Sequence, residues 1–241
     1  MFLGVTKEEV DRIQEDVNKC IVREVIGMSI QDDLKSRHPD KIRMVGLPGS
    51  NIPEVGLYND MVRYGIPGAK LWYTGIEADP EIASIIDKNK EKLHPEDRNR
   101  FKIVTGDISD LNTIKALGVA TKWRKQDVVW LDLYRMPKSG SCNVVKEMHK
   151  MGLLSDKAMV IMTASARKRP LDAYYSMRND MERLCTIPGC RAHRFLDICY
   201  GVMMVVVGVT HSGNNLPIFR GRLHFGANSK VLIEKPDYRL V

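Results

Sequence analysis

Three carboxylates in this chain each stand directly behind or within the end of an apolar run: Glu77 in "KLWYTGIEA", Asp107 in "FKIVTGD" and Asp132 in "DVVWLDL". A carboxylate delivered at such a point presents acceptor oxygens to whatever lies beyond the run. Glu77, followed by Ala78, suits the two neighbouring hydroxyls of a ribose. Asp107 suits an exocyclic adenine amine, with Ile108 beside it to stack against the ring. Asp132, with Tyr134 two residues further on in "LDLYRMP", can orient or deprotonate a nucleophile. Ahead of all three comes a loop of Gly46, Leu47, Pro48, Gly49 and Ser50, whose glycines let a ligand approach the backbone. Ser50 or Asn51 can cap the helix behind it. Two glycines stand where a dinucleotide fingerprint has three, so this loop alone reads equally as a strand-to-helix turn. The acids have plainer readings too, as a solvated loop group at Glu77 and a buried strand-end group at Asp132 with Tyr134 lining the core.

The elements that must position these groups alternate. "IRMVGL", "KLWYTGIEA", "FKIVTGD", "DVVWLDL" and "AMVIMTAS" read as strands, followed in turn by helices over 53–64, 80–93, 111–117, 143–151 and 171–184. Five such units predict a parallel sheet covered on both faces. Ligands of open sheets of this kind sit beyond the carboxyl ends of the strands. Four consecutive strands ending in suitable groups make coincidence the weaker explanation.

Beyond the fifth unit the rhythm changes. "ICYGVMMVVVGVTHSGNNLPIFRGRLHF" reads as two strands joined by "HSGNN", a link short enough to require antiparallel pairing. At the other end, Thr6 and Glu9 form a capping box ahead of Val10, Ile13, Val17, Ile21 and Val25 at helical spacing. Gly27 is expected to break that helix, and Ser29 or Asp32 to cap a shorter one reaching about residue 35. The fold class expected is α/β: a Rossmann-like, mostly parallel sheet with helices on both faces and an antiparallel last strand, over 42–241. An N-terminal helical extension over 1–41 precedes it.

Composition narrows the setting. The 241 residues are 44% hydrophobic and 28% charged, with a net charge of +7, ordinary for a folded chain with a mild basic excess. Five cysteines are scattered without a CxxC pair, which points to reduced thiols in a cytoplasmic compartment. Cys185, Cys190 and His193 lie close in sequence, but zinc takes four ligands in other spacings, and buried thiols are the better reading. The longest apolar run covers about twelve residues against the ~20 that span a bilayer, so no membrane partner is expected. Trp72, Trp123 and Trp130 are expected in or near the core.

Taken together, "GLPGSN", "GIEADPEIASIIDKN", "VTGDISD" and "VVWLDLYRMP" resemble the class I S-adenosylmethionine-dependent methyltransferases, over about residues 42–225. The resemblance implies S-adenosylmethionine as cofactor, with Glu77 on its ribose, Asp107 on its adenine amine and the Gly46–Gly49 loop beside its methionine portion. The "LDLY" stretch resembles the catalytic motif of enzymes that methylate amino groups of nucleic-acid bases, with leucine where proline is usual. That implies Asp132 and Tyr134 at the target amine. Basic residues gather at the same rim, with Arg135 and Lys138 after the fourth strand and Arg167, Lys168 and Arg169 after the fifth; phosphate backbones need such clusters. A nucleic-acid substrate is therefore expected. Two other readings stay open: a binding module that keeps the fold without the activity, and an RNA 2′-O-methyltransferase built on Asp132, Lys168 and Glu234.

Overall fold

The computed structural model describes residues 27–28, 30–31, 34–35, 39–49, 52–133, 140–165, 191–200, 202–210, 221–225 and 231–234. Five strands alternate with helices: β1 (Lys41–Gly46), α1 (Pro53–Gly65), β2 (Lys70–Glu77), α2 (Pro80–Asn89), α3 (Pro95–Arg98), β3 (Phe101–Thr105), α4 (Leu111–Ala120), β4 (Gln126–Leu133), α5 (Gly140–Lys150) and β5 (Leu154–Ser165). Four further strands follow, β6 (Arg191–Tyr200), β7 (Val202–Thr210), β8 (Gly221–Phe225) and β9 (Val231–Glu234). Among the described residues they form one sheet in the order β3-β2-β1-β4-β5-β7-β6-β8-β9.

β1 to β5 pair in parallel, β7 is inserted antiparallel between β5 and β6, and β6 returns to the direction of β5. The chain reverses between β6 and β7 with only Gly201 separating them, and Tyr200 pairs with Val202. The hairpin therefore falls inside the apolar run that reads as one strand from sequence, not at "HSGNN". β8 does not pair with β7 at all; it lies parallel to β6, and β9 closes the edge antiparallel to β8.

Both faces of the parallel part are buried, as both-sided helix cover demands. On one face Val45, Ile76, Val104, Val129, Leu131 and Val160 meet α4 and α5 through Ile114, Leu117, Val144, Val145 and Met148. On the other, Ile42, Met44, Leu71, Tyr73, Val128 and Ile161 meet α1 and α2 through Val55, Val62 and Ile86. Ile30 and Leu34 are buried in this second core; most of the helical extension expected over 1–41 lies outside the described residues. Gly27 is helical, and Met61 and Tyr58 occupy the space that a side chain there would need; the helix expected ahead of it lies outside the described residues.

Local chemistry explains where helices start. Asp79 accepts the N–H groups of Glu81 and Ile82 ahead of Pro80, and Asp110 accepts that of Asn112, both ordinary N-caps. α1 differs. Its cap position is Ile52, left-handed at φ 48° and ψ 35°, with no side-chain cap bond of its own; Ser50 and Asn51, the expected caps, lie outside the described residues. Ile52 is 2% exposed and its N–H donates to the Gly49 carbonyl at 2.8 Å. Burial and that bond hold a β-branched residue where its backbone is strained.

No helix among the described residues is long and apolar enough to cross a membrane.

Candidate cofactor site at the carboxyl edge of the sheet

The parallel registers bring the expected groups to one edge. Gly46 pairs with Gly75 on one side and Trp130 on the other. Glu77 lies two residues beyond Gly75, and Asp132 two beyond Trp130, so both project past the end of β1 where the Gly46–Gly49 loop begins. β3 completes the set, since Glu77 pairs with Thr105 and Asp107 follows two residues later.

Two devices shape this edge. Pro48 turns back over β2, so that a Cβ on Gly75 would stand 2.7 Å from its Cγ; glycine there lets the loop lie flat on the strand end. Gly106 takes φ 148°, ends β3 two residues earlier than its apolar run suggests, and donates its N–H to the Glu77 carbonyl at 2.8 Å. This bond ties the turn that carries Asp107 to the strand that carries Glu77.

Each acid is also fixed by the residue two positions on. Glu77 Oε1 accepts the Asp79 N–H at 2.9 Å. Asp107 Oδ1 accepts both the N–H and the hydroxyl of Ser109, at 2.8 and 2.7 Å. These bonds, the backbone N–H first and the hydroxyl second, hold the Asp107 carboxyl below its ordinary range against the opposing effect of burial. Among the described residues, Glu77 Oε2 and Asp107 Oδ2 carry no hydrogen bond. The edge thus presents two oriented carboxylates, each with an acceptor oxygen left over. Among the described residues, nothing lies within 4 Å of where a Cβ on Gly49 would be. The residues present fit an adenosyl cofactor.

Sequence reasoning missed Asp79, Gly106 and Ser109 as the groups that hold the site, although "EADP" and "TGDIS" carry the signal of a helix cap and a turn. Ile108 is 6% exposed and packs into the core beneath the turn. Ala78 is exposed beside Glu77, and Leu47 packs partly into the core. Asp132 lies in β4 opposite Thr163 of β5. Ser50, Tyr134, Arg135, Lys138, Arg167, Lys168 and Arg169 lie outside the described residues. Glu234 is in β9, five strand spacings from β4 or about 24 Å at the usual ~4.8 Å, so it is not brought to Asp132 as the 2′-O-transfer reading requires. No metal-binding group of three or more ligands occurs among the described residues.

No protein-family model matches the sequence, and no curated protein matches it. Solved structures do. A protein assigned to the class I S-adenosylmethionine-dependent methyltransferases, from Listeria monocytogenes, superposes with a TM-score of 0.51 at 9% identity, covering 80% of this chain. The chain spans 62% of that protein's length. An S-adenosylmethionine-dependent methyltransferase from Aquifex aeolicus gives 0.47 at 10% identity, over 74% of this chain and 88% of its own. A Haemophilus influenzae protein assigned as a methylase gives 0.49 at 15%, over 78% and 88%. The likeness to the Listeria protein shows that the fold is that of the class I methyltransferases, and the antiparallel β7 is consistent with it.

Proposed function

We propose that the protein binds S-adenosylmethionine at the carboxyl edge of β1–β4 and catalyses transfer of its methyl group, with a base amine of a nucleic acid as acceptor. The observation that carries the cofactor reading is the pair of half-engaged carboxylates, Glu77 and Asp107, lashed together beside the glycine loop. Glu77 Oε2 takes the ribose hydroxyls, Asp107 Oδ2 the adenine amine, and the Gly46–Gly49 loop with Ser50 lies along the methionine portion. When bound, the cofactor supplies an electrophilic methyl group on a sulfonium. The chain's own part is to hold a nucleophile in line with it. Asp132, at the end of the neighbouring strand, accepts a hydrogen bond from the acceptor amine, aims its lone pair and takes up the proton released as the nitrogen–carbon bond forms.

The finer reading of the acceptor rests on sequence: the "LDLY" stretch with Tyr134, and Arg135, Lys138, Arg167, Lys168 and Arg169 as phosphate contacts. Calorimetric titration with S-adenosylmethionine and S-adenosylhomocysteine tests the cofactor, and transfer of labelled methyl to RNA, DNA or protein tests the acceptor. Micromolar binding with label in nucleic acid is expected. Absence of cofactor binding by folded protein overturns the reading, and label appearing only in protein replaces the acceptor.

A further inference from the structure

At the opposite, amino-terminal edge of the sheet lies a surface that the transfer site does not use. Of the three tryptophans expected in or near the core, only Trp130 is buried, at 4%; Trp72 is 40% exposed and Trp123 52%. Alternation along the strands sets Trp72 on the same face as Ile76, Arg43 on that of Val45, and Lys102 on that of Val104, which is the face that α4 and α5 cover further up. Arg43 is the register partner of Trp72.

Trp123 reaches the same place by a different route. The segment from α4 to β4 is pinned at both ends. Lys102 Nζ on β3 donates to the Ala120 carbonyl at 2.9 Å, and the Arg43 N–H on β1 donates to Asp127 at 2.9 Å. β2 lies between β1 and β3, so the intervening residues 121–125 cross beneath the amino end of β2, where Trp72 stands. Within this crossing Lys122 and Trp123 are both left-handed at φ 55°. The Trp123 N–H donates to the Gly118 carbonyl at 2.6 Å, and the indole lies on Gly118, 2.6 Å from where a Cβ would be. A bulky residue held in that conformation is a genuine outlier. The consequence is an indole fixed with half its surface outward. Lys122 and Arg124 flank it, both exposed and neither in an ion pair among the described residues.

We infer that this face is a docking surface for single-stranded nucleic acid, with Trp72 and Trp123 as stacking platforms and Arg43, Lys122 and Arg124 as its phosphate contacts. The chemistry favours that occupant over an acidic peptide. A base offers a flat π-face to a rigid indole, and the exposed Lys122 and Arg124 on either side of Trp123 supply the positive charge that a phosphate backbone requires. The inference does not depend on methyl transfer, because it concerns the other end of the sheet.

The test is fluorescence anisotropy of a labelled oligothymidylate of about 16 nucleotides with the full chain, without cofactor and at low salt. Binding should quench exposed indole fluorescence. Trp72→Ala and Trp123→Ala should each weaken it about tenfold, and Trp123→Phe should keep most of the affinity. Lys122→Ala with Arg124→Ala should flatten the salt dependence by about one to two charges. Thermal melting and S-adenosylmethionine titration of each variant should match wild type. Should an alanine variant melt early, Trp123→Phe and the Lys122–Arg124 pair carry the test alone. No binding by wild type, equal affinity in the folded variants, or tighter binding of polyglutamate than of the oligonucleotide overturns the inference. Because no cofactor is present, failure of the transfer reading and failure of this one are read separately.

Discussion

Gly106 and Glu77 are joined by a single backbone bond, N–H to carbonyl at 2.8 Å, made while Gly106 sits at φ 148°. That bond sets the distance between the two acids that would grip a nucleoside. An alanine at 106 cannot take this conformation comfortably, and its Cβ would strike the Thr113 hydroxyl. Gly106→Ala should destabilise the fold by about 1–3 kcal/mol, visible as a lower melting temperature, and weaken cofactor binding in calorimetry. A variant that melts early yet binds S-adenosylmethionine as tightly as wild type would show that the bond is structural only.

Glu77 should behave differently from its neighbour Asp79. On the proposed reading Glu77→Ala removes charge-assisted bonds to a ribose, and it should cost about 1–3 kcal/mol of cofactor affinity with little change in stability. Asp79→Ala removes the cap of α2 and should cost about 1 kcal/mol of stability. The Asp79 N–H that Glu77 Oε1 accepts is backbone and survives the change, so affinity should hold. Equal affinity of Glu77→Ala and wild type would falsify the ribose assignment.

Asp107 gives a pH signature. Its carboxyl is held below the ordinary range by the Ser109 N–H and then the Ser109 hydroxyl. A carboxyl depressed in the folded protein contributes stability above the ordinary carboxylate range, and that contribution is lost as pH falls through the depressed value. Ser109→Ala removes the hydroxyl and leaves the N–H, so the carboxyl moves part of the way back up. Cofactor affinity, followed downward from neutral pH, should therefore fall away at higher pH in Ser109→Ala than in wild type, with the two agreeing near neutrality. Coincident acid limbs would mean that Asp107 is not the group that binding needs ionised.

Much of this arrangement is legible from residue order because it is local. An apolar run ended by Gly-Ile-Glu or Gly-Asp, followed by Asp-Pro or Asp-Leu, specifies strand, turn and cap within a few residues, and β2, α2, β3 and α4 follow. The hairpin was hidden because the run from Ile198 to Val209 is apolar on both sides of Gly201, with no polar turn to mark the reversal. β8 pairs with β6 rather than β7 since β7 is enclosed between β5 and β6, a fact of topology that no short stretch contains. Trp72 and Trp123 misled for a related reason. Indole hydrophobicity argues for burial, but exposure depends on where the segment 121–125 crosses the sheet. Ile52 in a left-handed turn has no local signal at all, because a β-branched residue is the last expected there.

A buried charge cluster offers a control remote from the site. Asp97 has a side chain 4% exposed and bonds Arg63 at 2.6 Å and Arg100 as well. Arg100 directly precedes β3, so the cluster is at the amino end of the sheet. Asp97→Ala leaves two guanidinium groups without their shared partner and should destabilise the protein by about 3–5 kcal/mol in chemical denaturation. Protein that remains folded should bind S-adenosylmethionine normally. Lost affinity at full folding would mean that the amino edge communicates with the site.

Asp132 separates an enzyme from a binding module. β4 delivers it at the carboxyl edge, between the glycine loop after β1 and the end of β5, where the acceptor must approach. If it aims and deprotonates the acceptor amine, its contribution arises mainly in the transition state. Asp132→Ala should then lower turnover about a hundredfold or more while cofactor affinity changes little. Asp132→Asn should keep the aiming hydrogen bond but not the proton acceptance, and fall between the two. A structural Asp132 would instead lose stability and cofactor binding together in Asp132→Ala, with Asp132→Asn restoring both. Turnover, melting temperature and cofactor affinity measured on the same three proteins distinguish these outcomes. Should wild type bind S-adenosylmethionine and transfer no label to RNA, DNA or protein, the site is a cofactor-binding one without the reaction, and Asp132 has no proton to take.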